Sequence, residues 1–440
     1  MNRRTKDITI PLLGAIALLT ACTGSDPGTG GTDTSRQYAI SFGAAEGQVG
    51  QVTRATANPT ASTRASATQS LAEQGYNEMK VYGYKTLDGT LYNVMPGYTM
   101  KYSAGSANTS TSNSSGWEYV GQGTDYLGNA QEIKYWDGNS SDYRFFGVLP
   151  TTSGSTTSYP TLTYKASSSA TTTEDVTNLG KTTDVTTDGS FTLTFSGLEY
   201  MVRKQVTSTG SDDSNVTNVA YYKADGTTKV EEKDIPIYCH LWQGNPSANY
   251  NKPVTLEFVK PYSLIRVVFQ RPAGSSITQL GNPDETSLEH DITFGPVGGT
   301  MMGSGDVNIT YPMTGTEESF TSIAASGAEV SAPTKMSLGT VKLEEEDKQY
   351  QVYPEYVMLP TSSNGAFKCT AYIYTANSQV STGGTYTERT AVIPAQYMQW
   401  KPGYQYTYIF KVTANNALEF SHVVEVYTKW QAGYVDETTW

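Results

Sequence analysis

The chain has 440 residues, a length that suits about two or three domains, with a formal net charge of -12 and 16% charged residues. An acidic surface favours solubility and argues against nucleic acid, whose phosphates attract basic protein faces. Tyrosine is abundant at 32 residues and Thr and Ser fill most polar positions, a strand-forming composition.

In chain order, Arg3, Arg4 and Lys6 precede an apolar stretch, residues 8–19, that is short for a bilayer span. Residues 1–21 therefore read as an export signal that is processed rather than folded. Leu19, Thr20 and Ala21 lead into Cys22, which resembles the lipobox of bacterial lipoproteins. That pattern makes Cys22 the expected lipidation site, its acyl chains anchoring the protein to the outer membrane. Residues 22–36 are rich in Gly, Thr and Ser and are expected to form a flexible tether.

Tyr38, Ile40 and Phe42 alternate with small residues and predict a first strand with one apolar face. Residues 43–69 have no apolar period and are expected to be an accessible loop, with Arg54 and Arg64 inside it. One modest helix is predicted over residues 66–73. Alternation resumes at Met79 and recurs at Trp117–Val120, Ile133–Trp136 and Tyr143–Val148, with Asp88-Gly89 and Asp137-Gly138 as turns. Residues 151–173 and 207–218 read as Ser/Thr-rich and polar insertions. A second domain is expected from residue 251, so that residues 70–250 and 251–440 form two units. Later strands are expected at 254–258, 264–269, 351–359, 367–374, 404–412 and 418–426. In the last, Leu418, Phe420, Val424 and Val426 are expected to share a face. The class predicted from these patterns is all-β, with a β-sandwich architecture.

The run from Trp400 through Lys401, Pro402 and Gly403 to Ile409, followed by Leu418, Glu419 and Phe420, resembles the final hairpin of the fimbrillin family. Members of that family are lipoprotein precursors of protease-assembled pili in Bacteroidota. Trp117-Glu118-Tyr119, Tyr135-Trp136, Tyr143 to Phe146 with Pro150, and the strand pair within residues 254–269 support the likeness. The resemblance implies two transthyretin-like β-sandwich domains in tandem, with a first strand that is temporary. It implies that an arginine-specific protease cuts after that strand, at Arg54 or alternatively at Arg64. The displaced strand would carry Tyr38, Ile40 and Phe42, and a neighbouring subunit would fill the vacated groove. Leu418, Phe420, Val424 and Val426 are a candidate donor strand, although an ordinary last strand explains them as well. Strand addition draws affinity from backbone hydrogen bonds and specificity from alternate side-chain pockets. The expected partners are other pilus subunits, the protease and the outer membrane, with host glycan or protein as a further possibility and no nucleic acid. The two polar insertions depart from a plain shaft pilin and favour a tip, minor or adhesive subunit, with an anchor subunit that retains its first strand as the alternative.

Signs of catalysis are sparse. The chain has three histidines, and Cys239 beside His240 makes a poor zinc pair because adjacent strand residues point to opposite faces. Asp137, Asn139 and Asp142 lack the glycine and terminal glutamate of a calcium loop and read as a hairpin turn. Residues 344–347 read as a solvated acidic loop, and Tyr102, Tyr126 and Tyr159 as strand packing. No nucleophile-elbow or phosphate-loop pattern occurs. The expectation is a non-enzymatic protein without cofactor or metal; Cys239 and Cys369 read as buried thiols, with a single bridge between them left open. The alternatives are a monomeric surface lipoprotein that binds glycan or host protein and, last, a glycan-degrading lipoprotein.

Overall fold

The computed structural model describes residues 38–46, 51–53, 69–71, 75–102, 116–124, 128–153, 156–171, 174–175, 185–209, 215–250, 252–281, 290–315, 317–324, 333–362, 365–376, 384–413 and 415–427. The chain is nearly all β, as its composition predicts. The helical turns among the described residues run for no more than four residues, as at Pro246–Asn249. No helix among them is long and apolar enough to cross a membrane.

Four larger sheets pack in pairs to give two sandwiches. In the first, a nine-stranded sheet faces a five-stranded one. Their contact is aromatic: Phe146 stacks on Tyr311 with ring centroids 4.2 Å apart, and Tyr84 meets Phe191 at 5.3 Å. In the second, an eight-stranded sheet faces a six-stranded one, with Phe294 lying 4.9 Å from Tyr408 and Phe367 5.5 Å from Trp400. The predicted Asp88-Gly89 turn is present, with φ of 49° and 77°, and joins Glu78–Leu87 to Thr90–Tyr102. Positive φ at both positions gives the tight turn whose twist matches a hairpin.

Several loops of the sequence reading are strands. Residues 207–218 belong largely to a hairpin, Met201–Thr209 against Asn215–Lys223. The 151–173 insertion contains the short ladder Thr151–Ser153 with Thr156–Ser158, and Thr161–Lys165 pairs with Ser190–Glu199. Threonine suits a pleated, half-solvated strand, so polarity there does not signal a loop. Conversely, residues 133–136 contribute a single bridge, Ala39 to Tyr135, rather than a strand.

Strand membership crosses residue 251 in both directions. Val254–Val259 joins the nine-stranded sheet of the first sandwich, whereas Met201–Thr209 and Asn215–Lys223 join the eight-stranded sheet of the second. Ser304–Pro312 likewise returns to pair with Ser190–Glu199. The strands Ser263–Arg271 and Lys348–Met358 form a shared wall: Leu264 and Val357 enter the first core, while Ile265, Val352 and Met358 enter the second. Between the cores, buried Glu355 accepts hydrogen bonds from Arg203 at 2.9 Å, Arg266 at 2.5 Å and Gln351 at 2.6 Å. A buried carboxylate needs such partners, since desolvation costs several kcal/mol in order of magnitude.

Candidate assembly site

The first strand is regular over Phe42–Glu46, four residues later in its start than the alternation of Tyr38, Ile40 and Phe42 predicts. Residues 38–41 are nevertheless held in extended contact. Ile40 N–H donates to Lys134 O at 2.8 Å, Trp136 N–H to Tyr38 O at 3.1 Å, and Val254 N–H to Ser41 O at 2.7 Å. The apolar face is as predicted and extends one step further: Ile40 and Phe42 are 0% exposed and Ala44 6%.

None of this strand's partners is its hairpin neighbour. It runs parallel to Val254–Val259, with Phe42 opposite Val254 and Glu46 opposite Phe258. On its other side it is antiparallel to Trp117–Glu118 through Phe42 and to Gln69–Ser70 through Ala45 and Glu46. Parallel neighbours cannot be joined by a tight turn, so the strand is inserted between elements that fold from other parts of the chain.

Side chains lock the insertion. The nine-stranded sheet curls, so that Phe42 meets Phe145 edge-on at 5.2 Å and Tyr119 at 6.1 Å. Two glycines make room for the curl: a Cβ at Gly83 would lie 2.4 Å from the Phe145 ring, and one at Gly147 would lie 2.8 Å from Phe258. Tyr38 stacks on Tyr250 at 4.9 Å. Tyr119 Oη donates to Ile40 O at 3.0 Å and accepts from Lys134 N–H at 3.0 Å. Burial pushes the Tyr119 phenol well above its usual range, so it remains a protonated donor.

The segment that follows departs from the expected loop in three places. Gly43 to Glu46 belong to the inserted strand. Gln51–Thr53 forms a strand antiparallel to Leu418–Tyr427, with Thr53 opposite Val424 and Gln51 opposite Val426, and so lies on the edge of the second sandwich. Gln69–Ser70 is a strand where residues 66–73 suggested a helix, because pairing with Ala45 and Glu46 outweighs a weak helical period. Leu71 is buried in the first core. Cys22, Arg54, Arg64 and Tyr126 lie outside the described residues.

Leu418–Tyr427 is in place as the last described strand, paired along its length with Tyr404–Val412. Leu418, Phe420, Val424 and Val426 do not share one face. A bulge places Ile409 opposite His422 but Phe410 opposite Phe420, and the extra residue, Ser421, reverses the alternation. Leu418 and Phe420 therefore pack in the second core with Val423, whereas Val424 and Val426 cluster with Val268 and Ile409 on the opposite face.

Cys239 and Cys369 are separate buried thiols. Burial pushes the Cys369 thiol well up. Cys239 Sγ donates to His240 O, and His240 Nδ1, just past Tyr238–Cys239, pairs with Glu318, just before Ser319–Ala324. Among the described residues, no group of three or more His, Cys, Asp or Glu could hold a metal ion.

No family model matches the chain. No curated protein matches it either. Solved structures do: a candidate cell adhesion protein from Bacteroides ovatus aligns at 12% identity over 90% of this chain and 98% of its own, with a TM-score of 0.30. A candidate cell adhesion protein from Bacteroides uniformis aligns at 10% identity over 87% and 98%, with a TM-score of 0.26. A candidate polysaccharide-binding protein from Bacteroides thetaiotaomicron aligns at 10% identity over 81% and 91%, with a TM-score of 0.21. These superpositions are too loose to transfer a function.

Proposed function

We propose that this chain is a non-enzymatic structural and adhesive subunit of a cell-surface fimbrium, exported as a lipoprotein through Cys22 and assembled by strand exchange after proteolysis at Arg54 or Arg64. The observation that carries the reading is the inserted strand Phe42–Glu46, held mid-sheet between non-hairpin partners, with Ile40, Phe42 and Ala44 filling the core. Its removal leaves the neighbouring elements covalently intact but opens a groove between Val254–Val259 and Trp117–Glu118. Burying Ile40 and Phe42 contributes about 1.5–3 kcal/mol each, so an emptied groove favours a replacement strand. Open strand edges invite indiscriminate pairing, and a resident strand protects the precursor from it until the cut is made.

The cut would act on both sandwiches. Gln51–Thr53 ends at the residue before Arg54, so cleavage there or at Arg64 detaches it together with Phe42–Glu46 and frees the edge of Leu418–Tyr427.

The test is to treat the purified precursor with an arginine-specific protease, map the new N-terminus by mass and follow particle size. A single cut at Arg54 or Arg64 followed by a ladder of oligomers supports the reading. A clean cut without growth points to a terminal subunit. Resistance at both arginines overturns assembly by cleavage and leaves a monomeric surface protein.

A further inference from the structure

We propose that a cleft at one end of the first sandwich binds a neutral saccharide unit. The cleft has a volume of about 370 Å³ and is walled by three segments far apart in sequence: residues 75–78, residues 149–151 and residues 233–237. That volume falls within the range of small-molecule sites, roughly 300–1,000 Å³.

The lining decides the ligand class. Its aliphatic members, Leu149, Ile235 and Ile237, are only 3%, 1% and 7% exposed, so they belong to the core and offer a ligand little apolar surface. The rest of the lining is largely polar: Asn77, Lys233 and Asp234 are exposed, and Tyr76 and Glu78 are half-buried. Carboxylates and an amide oxygen accept protons from ligand hydroxyls, and an ammonium or amide N–H donates to hydroxyl oxygens. An aromatic ring offers its face to ring C–H groups. The charges offset one another, since Lys233 and Asp234 are neighbours and Glu78 lies 3.7 Å from Lys101. This favours a neutral polyol over an anion or cation.

Two of these groups, Tyr76 and Glu78, are also held in advance of binding. Tyr76 Oη donates to Lys233 O at 3.1 Å and ties two walls together, and Tyr159 Oη donates to Glu78 at 3.0 Å from outside the cleft. The Lys80 ammonium lies 4.7 Å from the Tyr159 ring centre and braces that tyrosine. Pre-placed polar groups lower the ordering cost of binding.

The site is independent of strand exchange, so the two readings fail separately. The experiment is to screen the purified full chain against immobilised neutral mono- and disaccharides and titrate the best by ligand-observed NMR. Two variants follow, Asn77→Ala and Asp234→Ala, both at exposed positions where folding is preserved. The expected result is saturable binding to a neutral sugar that weakens by about tenfold or more in each variant, a change of ~1.4 kcal/mol. Unfolding midpoints and protease-triggered assembly should be unchanged. Retention of no neutral sugar, a preference for charged glycans, or binding that survives both substitutions overturns the proposal.

Discussion

Phe42 concentrates the hold of the inserted strand, because it is 0% exposed and touches Phe145 and Tyr119 across the curl of the sheet. Phe42→Ala should destabilise the precursor by about 3–5 kcal/mol, the range for a buried phenylalanine that leaves a cavity. Chemical denaturation read by tryptophan fluorescence checks this, and a loss below ~1 kcal/mol would show that the strand is loosely held. A second residue-scale feature is Glu318. Burial alone would raise its carboxyl, but the charge and hydrogen bond of His240 and the N–H of Leu241 bring it down to about 2. A carboxyl lowered in the folded state adds stability above its unfolded pKa of about 4.3 and loses it as pH falls toward 2. The denaturation midpoint should therefore drop across that window, and Glu318→Gln should flatten the drop. Equal slopes in the two proteins would remove Glu318 as the cause.

At the scale of the element, the inserted strand can be locked without touching its buried face. Gly43 lies opposite Thr255, a Cβ at Gly43 meets nothing within 4 Å, and Thr255 is exposed. A Gly43→Cys, Thr255→Cys pair should form a disulfide across the parallel register, where facing Cα atoms lie within bridging range. The oxidised protein should be cut by the protease yet stay monomeric, and reduction should restore growth. Assembly of the oxidised form at the unmodified rate would show that this strand need not leave. The other element of interest, Leu418–Tyr427, serves both faces of its sheet because of the bulge at Ser421. As a donor it would present Leu418 and Phe420 on one face and Val424 and Val426 on the other, a poorer match to a single row of pockets than strict alternation would give.

For the whole molecule, the links between the two sandwiches include the shared wall of Ser263–Arg271 and Lys348–Met358 and the succession of Phe42–Glu46 in the first by Gln51–Thr53 in the second. Cleavage with release of the N-terminal piece should therefore raise amide exchange in two distant places, around residues 254–259 and around residues 424–426. Exchange mass spectrometry before and after the cut reads both. A rise at the first site alone would mean that Gln51–Thr53 is not the cover of the last strand.

Composition and the period-two alternation were enough to determine the all-β class, most strand positions and the buried face of Ile40 and Phe42, because a strand's two faces are written in neighbouring residues, whereas Tyr143–Val148 and Leu264–Phe269 are buried on both faces. The Asp88-Gly89 turn was equally legible, since positive φ demands those residue types. Partners were not legible. That Val254–Val259 sits beside Phe42–Glu46, or that Gln51–Thr53 crosses to the second sandwich, depends on pairings between segments far apart in the chain, which no local pattern encodes. The bulge at Ser421 and the strands hidden in threonine-rich stretches were missed for the same reason, because register and burial arise from cross-strand packing. The cleft is of this kind too: residues 75–78, 149–151 and 233–237 carry no shared motif, and only the tertiary fold, by converging three segment ends on one edge of the sandwich, makes them a site.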